Sequence, residues 1–184
     1  GGSAMASPMS VDALIGTPFS VVLKDALVRQ EDVRLINGNP LTGTKSCLED
    51  SVGVKTSEIT AIPEGADANE MFGWIMPRTN QFSTSRSYFS WLMGKKAYDL
   101  DARVKGGERH IIMSGEYDSV LPMDIYGEFL IKAIIVGDID KMEQLGIYEV
   151  SPEDFALAEF VDSSKLELQR IVRQGLNMLR KENA

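Results

Sequence analysis

The chain has one cysteine, Cys47, and one histidine, His110, in 184 residues. A disulfide within the chain is therefore excluded, and a zinc or iron–sulfur site built from cysteine and histidine is nearly excluded with it. Chemistry of the Ser-His-Asp or Cys-His type would have to run through His110. Long apolar runs are also missing. The longest aliphatic stretch, Ala133-Ile134-Ile135-Val136, is far too short to span a bilayer. No signal-peptide pattern is visible. Glycine-rich phosphate loops are absent: Gly106-Gly107 reads as a turn, and neither G-x-G-x-x-G nor a Walker pattern occurs. The net charge of −8 argues against nucleic acid as the main partner, because phosphate binding needs a basic face.

What is present is an ordinary globular balance, with 43% hydrophobic and 25% charged residues. The length suits one largish domain or two small ones, with volume enough for a core. The opening Gly1-Gly2-Ser3-Ala4-Met5-Ala6 reads as an expression scar. Residues 1–9 are set aside as that scar and a disordered start, and the remainder is expected to be a piece of a longer protein.

Residues 10–65 read as a small β-rich unit. Phe19-Ser20-Val21-Val22-Leu23 and Val33-Arg34-Leu35-Ile36 are short and rich in β-branched residues, and Asn37-Gly38-Asn39-Pro40 punctuates the second run as a turn. A short helix is expected around 24–30. Ser57-Glu58-Ile59-Thr60-Ala61-Ile62 alternates in polarity and ends at Pro63.

Residues 66–100 read as a connector. The stretch 71–96 holds six of the fourteen aromatics, four cations (Arg78, Arg86, Lys95, Lys96) and no acid, so it carries +4 and the remainder −12. A short helix is expected near 85–93.

From 101 to 184 the signals are helical. An apolar face over 124–136 is stopped by Gly137, and Asp138 caps a short helix that ends before Gly146. Ser151-Pro152-Glu153-Asp154 is a dense helix start. Ser164-Lys165-Leu166-Glu167 has the form of a capping box, opening a last helix with Leu168, Ile171, Val172, Leu176 and Leu179 on one face.

His110, beside three apolar residues, reads as structural, since one histidine makes no metal site without several converging carboxylates. Cys47 follows Ser46 near the acidic Glu49-Asp50, which disfavours a nucleophile. Asp138/Asp140 and Glu153/Asp154 fit helix starts better than acid–base pairs or calcium ligands. The aromatic-basic window has two readings. In one, Phe72, Trp74, Phe89 and Trp91 pack the connector onto both units; in the other, Phe72, Trp74, Arg78, Phe82, Arg86 and Trp91 form a strip that contacts a partner or a quinone.

One spacing is more specific. The two-cluster ferredoxin run is C-x2-C-x2-C-x3-C-P. With its proline on Pro122, the four ligand positions fall on Ile111, Ser114, Tyr117 and Leu121; a second run falls on Pro152, Phe155, Ala158 and Asp162. None is a cysteine, so the segment should bind no cluster.

Several stretches, in order and spacing, resemble the C-terminal part of the A subunit of the sodium-translocating NADH:quinone reductase. They are Glu64-Gly65, Glu70-Met71-Phe72-Gly73-Trp74-Ile75-Met76-Pro77, Phe82-Ser83-Thr84-Ser85-Arg86, Leu121-Pro122-Met123-Asp124-Ile125, Val136-Gly137-Asp138, Gln144-Leu145-Gly146 and Glu153-Asp154-Phe155-Ala156-Leu157. The upstream Gly16-Thr17-Pro18 and the run from Leu35 to Gly43 are similar to the β-grasp module of the related C subunit of the Rnf complex, which keeps the cysteines missing here.

The resemblance implies an α+β fold: a small β-grasp-like unit, a connector, and an α-helical ferredoxin-like unit lacking cluster ligands. It implies a peripheral subunit on the cytoplasmic face of the bacterial inner membrane, in a complex that oxidises NADH, reduces ubiquinone and expels sodium. No catalytic, cofactor or metal position carries over to this chain. The expected role is docking and assembly with the other subunits, the membrane subunits above all, and the alternative is a share in a quinone-binding site.

Overall fold

The structure is a computed structural model describing residues 1–28, 31–65, 73, 78–84, 86, 88–94, 97–112 and 114–184. It is α+β: a three-stranded antiparallel sheet and several helices. The chain divides into two compact units. One comprises Gly1–Glu70 with Lys96–Lys105, the other Met71–Lys95 with Gly106–Ala184.

In the first unit, β1 (Val33–Asn37) lies between β2 (Thr44–Ser46) and β3 (Ile59–Pro63), so Leu35 stands opposite both Ser46 and Ala61. The turn after β1 forms as its Asn-Gly signal predicts. Gly38 takes φ +109°, and Asn39 Oδ1 accepts the N–H groups of Leu41 and Thr42, each at 2.9 Å. At the end of β3, Glu64 pairs with Arg34 on β1, Nε to Oε2 at 2.8 Å.

Three expectations for this unit fail. The run from Phe19 is a one-turn helix, α1 (Phe19–Val22), not a strand. Pro18 holds φ −61° at its entry, and Phe19 and Leu23 are buried while Val21 faces out, the spacing of a helical turn. The expected helix over 24–30 is absent from its described part. Asp25 takes φ +60°, which breaks a helix, and Leu27 bridges to Met5. The opening residues, expected to be disordered, join the core. Ala4 and Met5 are buried, and Ala61 bonds Gly1 and Ala4 through its N–H and C=O, covering the outer edge of β3. Phe19, Leu23, Ala26, Leu35 and Ala61 complete this core.

The second unit follows its sequence signals more closely, though the expected apolar face of 124–136 (Ile125, Phe129, Ala133, Val136) is not the buried one: Phe129 and Val136 are exposed, and Leu130, Ile131 and Ile134 face the core with Ala133. α2 (Gly127–Val136) ends at Gly137 in the left-handed region, φ +78°, with its N–H on Ala133 O at 3.0 Å. α3 (Ile139–Gln144) is capped by Asp138, whose Oδ1 accepts the Lys141 N–H at 3.1 Å. Ser151 and Asp154 form a capping box around the 3-10 turn Pro152–Phe155, which runs into α4 (Ala156–Val161).

The last helix, α5 (Leu168–Glu182), buries Leu168, Ile171, Val172, Gly175 and Leu179. Gly175 marks its close approach to a neighbour: a Cβ there would stand 2.9 Å from Ile147 Cδ1 and 3.0 Å from Ile134 Cγ1. The expected Ser164 capping box does not form. Lys165 takes φ +59°, and Ser164 Oγ donates to His110 O at 3.4 Å instead. The N–H groups at this start are taken by acids from elsewhere: Asp162 accepts from Ser164 and Leu166, and Glu159 Oε2 accepts from Gln169 at 2.8 Å. Leu130, Ile131, Met142, Ile147, Phe155 and Leu168 are fully buried in the centre of this unit.

Candidate functional site

Phe72 and Trp74 lie outside the described residues. The other residues of the aromatic-basic strip belong to the second unit. They centre on a 3-10 turn, Phe89–Met93. Two side chains anchor this turn inward. Tyr88 is buried, and its burial pushes the phenol above its ordinary pKa; Ser90 Oγ donates to Gln81 O at 2.5 Å. The rest of the turn faces out: Phe89 is 56% exposed, Trp91 49%, Leu92 63% and Met93 61%. The Arg86 guanidinium stands 5.7 Å from the centre of the Trp91 ring, within cation–π range. Phe82 is partly exposed and stacks on Phe160 of α4, ring centres 5.8 Å apart. Arg78 is half-buried, its Nε donating to Gly73 O at 3.4 Å.

The structure thus brings Arg86 to Trp91, exposes Phe89, which the packing reading would bury, and adds Leu92, Met93 and Phe160 to the residues singled out from sequence. Phe160 lies far along the chain, and no local signal could have paired it with Phe82. The exposure of Phe89, Leu92 and Met93 follows from Tyr88 and Ser90 turning inward, which a run of apolar residues does not reveal. A surface of aromatic, aliphatic and guanidinium groups can bind.

The two ferredoxin-spaced runs meet in this same unit. Tyr117 and Asp162 are both buried, and the phenol donates to Asp162 Oδ1 at 3.1 Å. Asp162 also accepts the N–H groups of Ser164 at 2.9 Å and Leu166 at 2.8 Å. Burial first, then the neighbouring Asp162 carboxylate, pushes the Tyr117 phenol far up. Leu121 and Phe155 flank Gly127, where a Cβ would lie 2.3 Å from Leu121 Cδ1 and 3.6 Å from Phe155 Cε1. Ile111 packs on the same core, and Ser114 is exposed. These side chains do not fit an iron–sulfur cluster, which needs thiolates. Among the described residues no three His, Cys, Asp or Glu side chains converge on a point that could hold a metal.

Cys47 is exposed, and the neighbouring Glu49 carboxylate holds its thiol above the ordinary value, away from a reactive thiolate. The His110 side chain is exposed, on the wall of a concavity of about 1400 Å³ formed by 108–112, α2 and α5. Its floor is apolar, with Ile111, Ile134, Ile135, Val136, Ile171 and Met178.

No protein-family profile matches the chain. Curated relatives match along almost its entire length. The A subunit of the Na(+)-translocating NADH-quinone reductase of Vibrio atlanticus is 32% identical over 182 residues, 98% of this chain. The corresponding subunit of Neisseria meningitidis serogroup B is 32% identical over 183 residues, and that of Haemophilus influenzae strain PittEE 34% over 182. This chain is homologous to part of that A subunit. It spans about 40% of the length of these relatives.

Three of the stretches quoted for the resemblance sit on helix ends. Gly137 and Asp138 are the C-cap of α2 and the N-cap of α3; Gly146 is the left-handed residue beyond α3; Asp154 closes a capping box. Of the stretch from Glu70 to Pro77, only Gly73 lies within the described residues.

Proposed function

We propose that this chain is a non-catalytic portion, from the C-terminal part, of a peripheral subunit of a Na+-translocating NADH:ubiquinone oxidoreductase, serving docking and assembly. The single observation carrying the reading is the 32–34% identity to the A subunit of that enzyme along 98–99% of the chain. The parent complex would use NADH and ubiquinone; this chain itself holds no cofactor. Its place would be the cytoplasmic face of the bacterial inner membrane, among the other subunits. Among the described residues no helix is long and apolar enough to cross a membrane, which accords with a peripheral position.

The meeting of Tyr117 with Asp162 supports descent from a ferredoxin-like scaffold. In two-cluster ferredoxins the fourth ligand of each run serves the other run's cluster. Tyr117 is the third position of the first run and Asp162 the fourth of the second; Leu121 and Phe155 are close in the reciprocal sense. A hydrogen-bonded pair and two apolar side chains of one core then stand where clusters would have tied the runs together.

Docking is assigned to the strip around Arg78, Phe82, Arg86 and Trp91. Arg78→Glu with Arg86→Glu should cut co-purification with the membrane subunits at least several-fold, with an unchanged circular-dichroism spectrum. Full assembly of that double variant would remove the assignment. A second reading is favoured by the concavity under α2 and α5, whose apolar floor suits a quinone, though its volume of about 1400 Å³ exceeds the range usual for small ligands. Saturable binding of a ubiquinone analogue at micromolar concentration, lost on Ile135→Glu, would support it.

A further inference from the structure

We infer that the turn Phe89–Met93 is a lipid-facing element that seats this chain on an anionic bilayer surface. The inference rests on the docking assignment and adds that one turn of the strip meets the lipid beside the membrane subunits. Phe89, Trp91, Leu92 and Met93 project outward from five consecutive residues, and the one polar residue among them, Ser90, is buried and bonded inward. Within these five residues the outward side chains carry no hydrogen-bonding group except the Trp91 indole. Protein interfaces surround an aromatic centre with polar groups and carry about one hydrogen bond per 100–200 Å². A bilayer makes no such demand, and it takes Trp, Phe and Leu at the headgroup boundary.

Charge decides the sign of the surface. Arg86 lies against the Trp91 ring, and Lys95 and Lys96 follow the turn in sequence. No acid occurs in 71–96, so this stretch carries +4 while the rest of the chain carries −12. An anionic surface attracts a stretch of that charge. Each cation near such a surface is worth roughly a fivefold gain in partitioning, screened within a Debye length. Four partly inserted side chains amount to weak, reversible binding, comparable to a single acyl anchor at about 10⁴ M⁻¹.

The test is co-sedimentation of the 184-residue chain with vesicles of phosphatidylcholine containing about one-third phosphatidylglycerol, against pure phosphatidylcholine. We expect binding to the anionic vesicles only, weakening several-fold at high salt, with a blue shift of tryptophan emission that Trp91→Phe reduces. Leu92→Ser with Met93→Ser should lower binding about tenfold, and Arg86→Glu at least fivefold. All three residues are exposed, so the fold should be unaffected. No binding at millimolar lipid, equal binding to neutral vesicles, or undiminished binding of Leu92→Ser/Met93→Ser would each overturn the inference. Vesicle binding that fails while complex assembly still depends on Arg78 and Arg86 would leave docking in place and identify its occupant as protein. Vesicle binding that holds while assembly ignores those arginines would remove the docking assignment alone.

Discussion

The two units of this chain solve the same problem with unequal means. The sheet unit closes over a core in which Phe19 is the one aromatic, and Ala4, Ala26 and Ala61 are among its other buried members. The helical unit encloses a larger continuous core, with Phe155, Leu130, Ile131, Met142, Ile147, Leu168 and Leu179 all at or near zero exposure. Small cores leave little margin after conformational entropy is subtracted. The difference teaches that the helical unit can absorb a defect that the sheet unit cannot.

The largest expected effect tests that claim directly. Phe19→Ala and Phe155→Ala each remove a fully buried ring, at a cost of about 3–5 kcal/mol. Hydrogen exchange at 25 °C should find β1 and β3 unprotected in Phe19→Ala. It should find α5 weakened but still protected in Phe155→Ala. Survival of both units, or collapse of both, would break the comparison.

The same contrast explains which elements are legible in the sequence. α2, α3 and the turn into α4 rest on local devices, Gly137, Asp138 and the Ser151–Asp154 box, and these stand in the sequence as plain signals. The sheet unit rests on pairings between distant residues. Phe19 N–H bonds Asp50 O and Ser20 N–H bonds Leu48 O, so a β-branched run that reads as a strand is held as one turn of helix. The opening residues look foreign in composition, yet Ala61 is bonded to Gly1 and Ala4. The helical unit has one failure of the same kind. The start of α5 is satisfied by Glu159 and its approach by Asp162, not by its own Ser164. At the candidate strip, composition singles out a stretch, but which of its side chains face out depends on Tyr88 and Ser90 turning in.

A smaller effect sharpens the role of that borrowed approach. Asp162→Ala would leave the Tyr117 phenol and the N–H groups of Ser164 and Leu166 without their acceptor in a buried place. The expected cost is about 2–4 kcal/mol in the helical unit. Tyr117→Phe removes one donor and leaves Asp162 two backbone partners, so about 1 kcal/mol is expected. Urea denaturation read at α5 checks both. Equal costs for the two variants would mean that the phenol, not the backbone, is what Asp162 serves.

The smallest effect is one of sign. Each unit has a glutamate moved from its ordinary pKa of 4.5, in opposite directions. In the sheet unit the hydrogen-bonded Arg34 guanidinium holds Glu64 below that value. Its contribution is present above the unfolded pKa and is lost as pH falls through the lower folded one. In the helical unit burial pushes Glu159 up, against the pull of the Gln169 N–H. Protonation is then favoured by the folded state, so its contribution is present below the unfolded pKa and is lost as pH rises through the raised one. Acidifying from neutral pH should first firm the helical unit, through Glu159, and only at lower pH loosen the sheet unit, through Glu64. A partly exposed ion pair is worth at most about 1 kcal/mol, so the loss in the sheet unit should stay below that. Glu159→Gln keeps an acceptor for Gln169 while removing the charge, so it should flatten the helical unit's rise without moving the sheet unit's fall; Glu64→Gln should do the reverse. Hydrogen exchange followed separately in α5 and β1 across this range reads both slopes, and parallel slopes in the two units would show that neither carboxylate governs its own unit's response to acid.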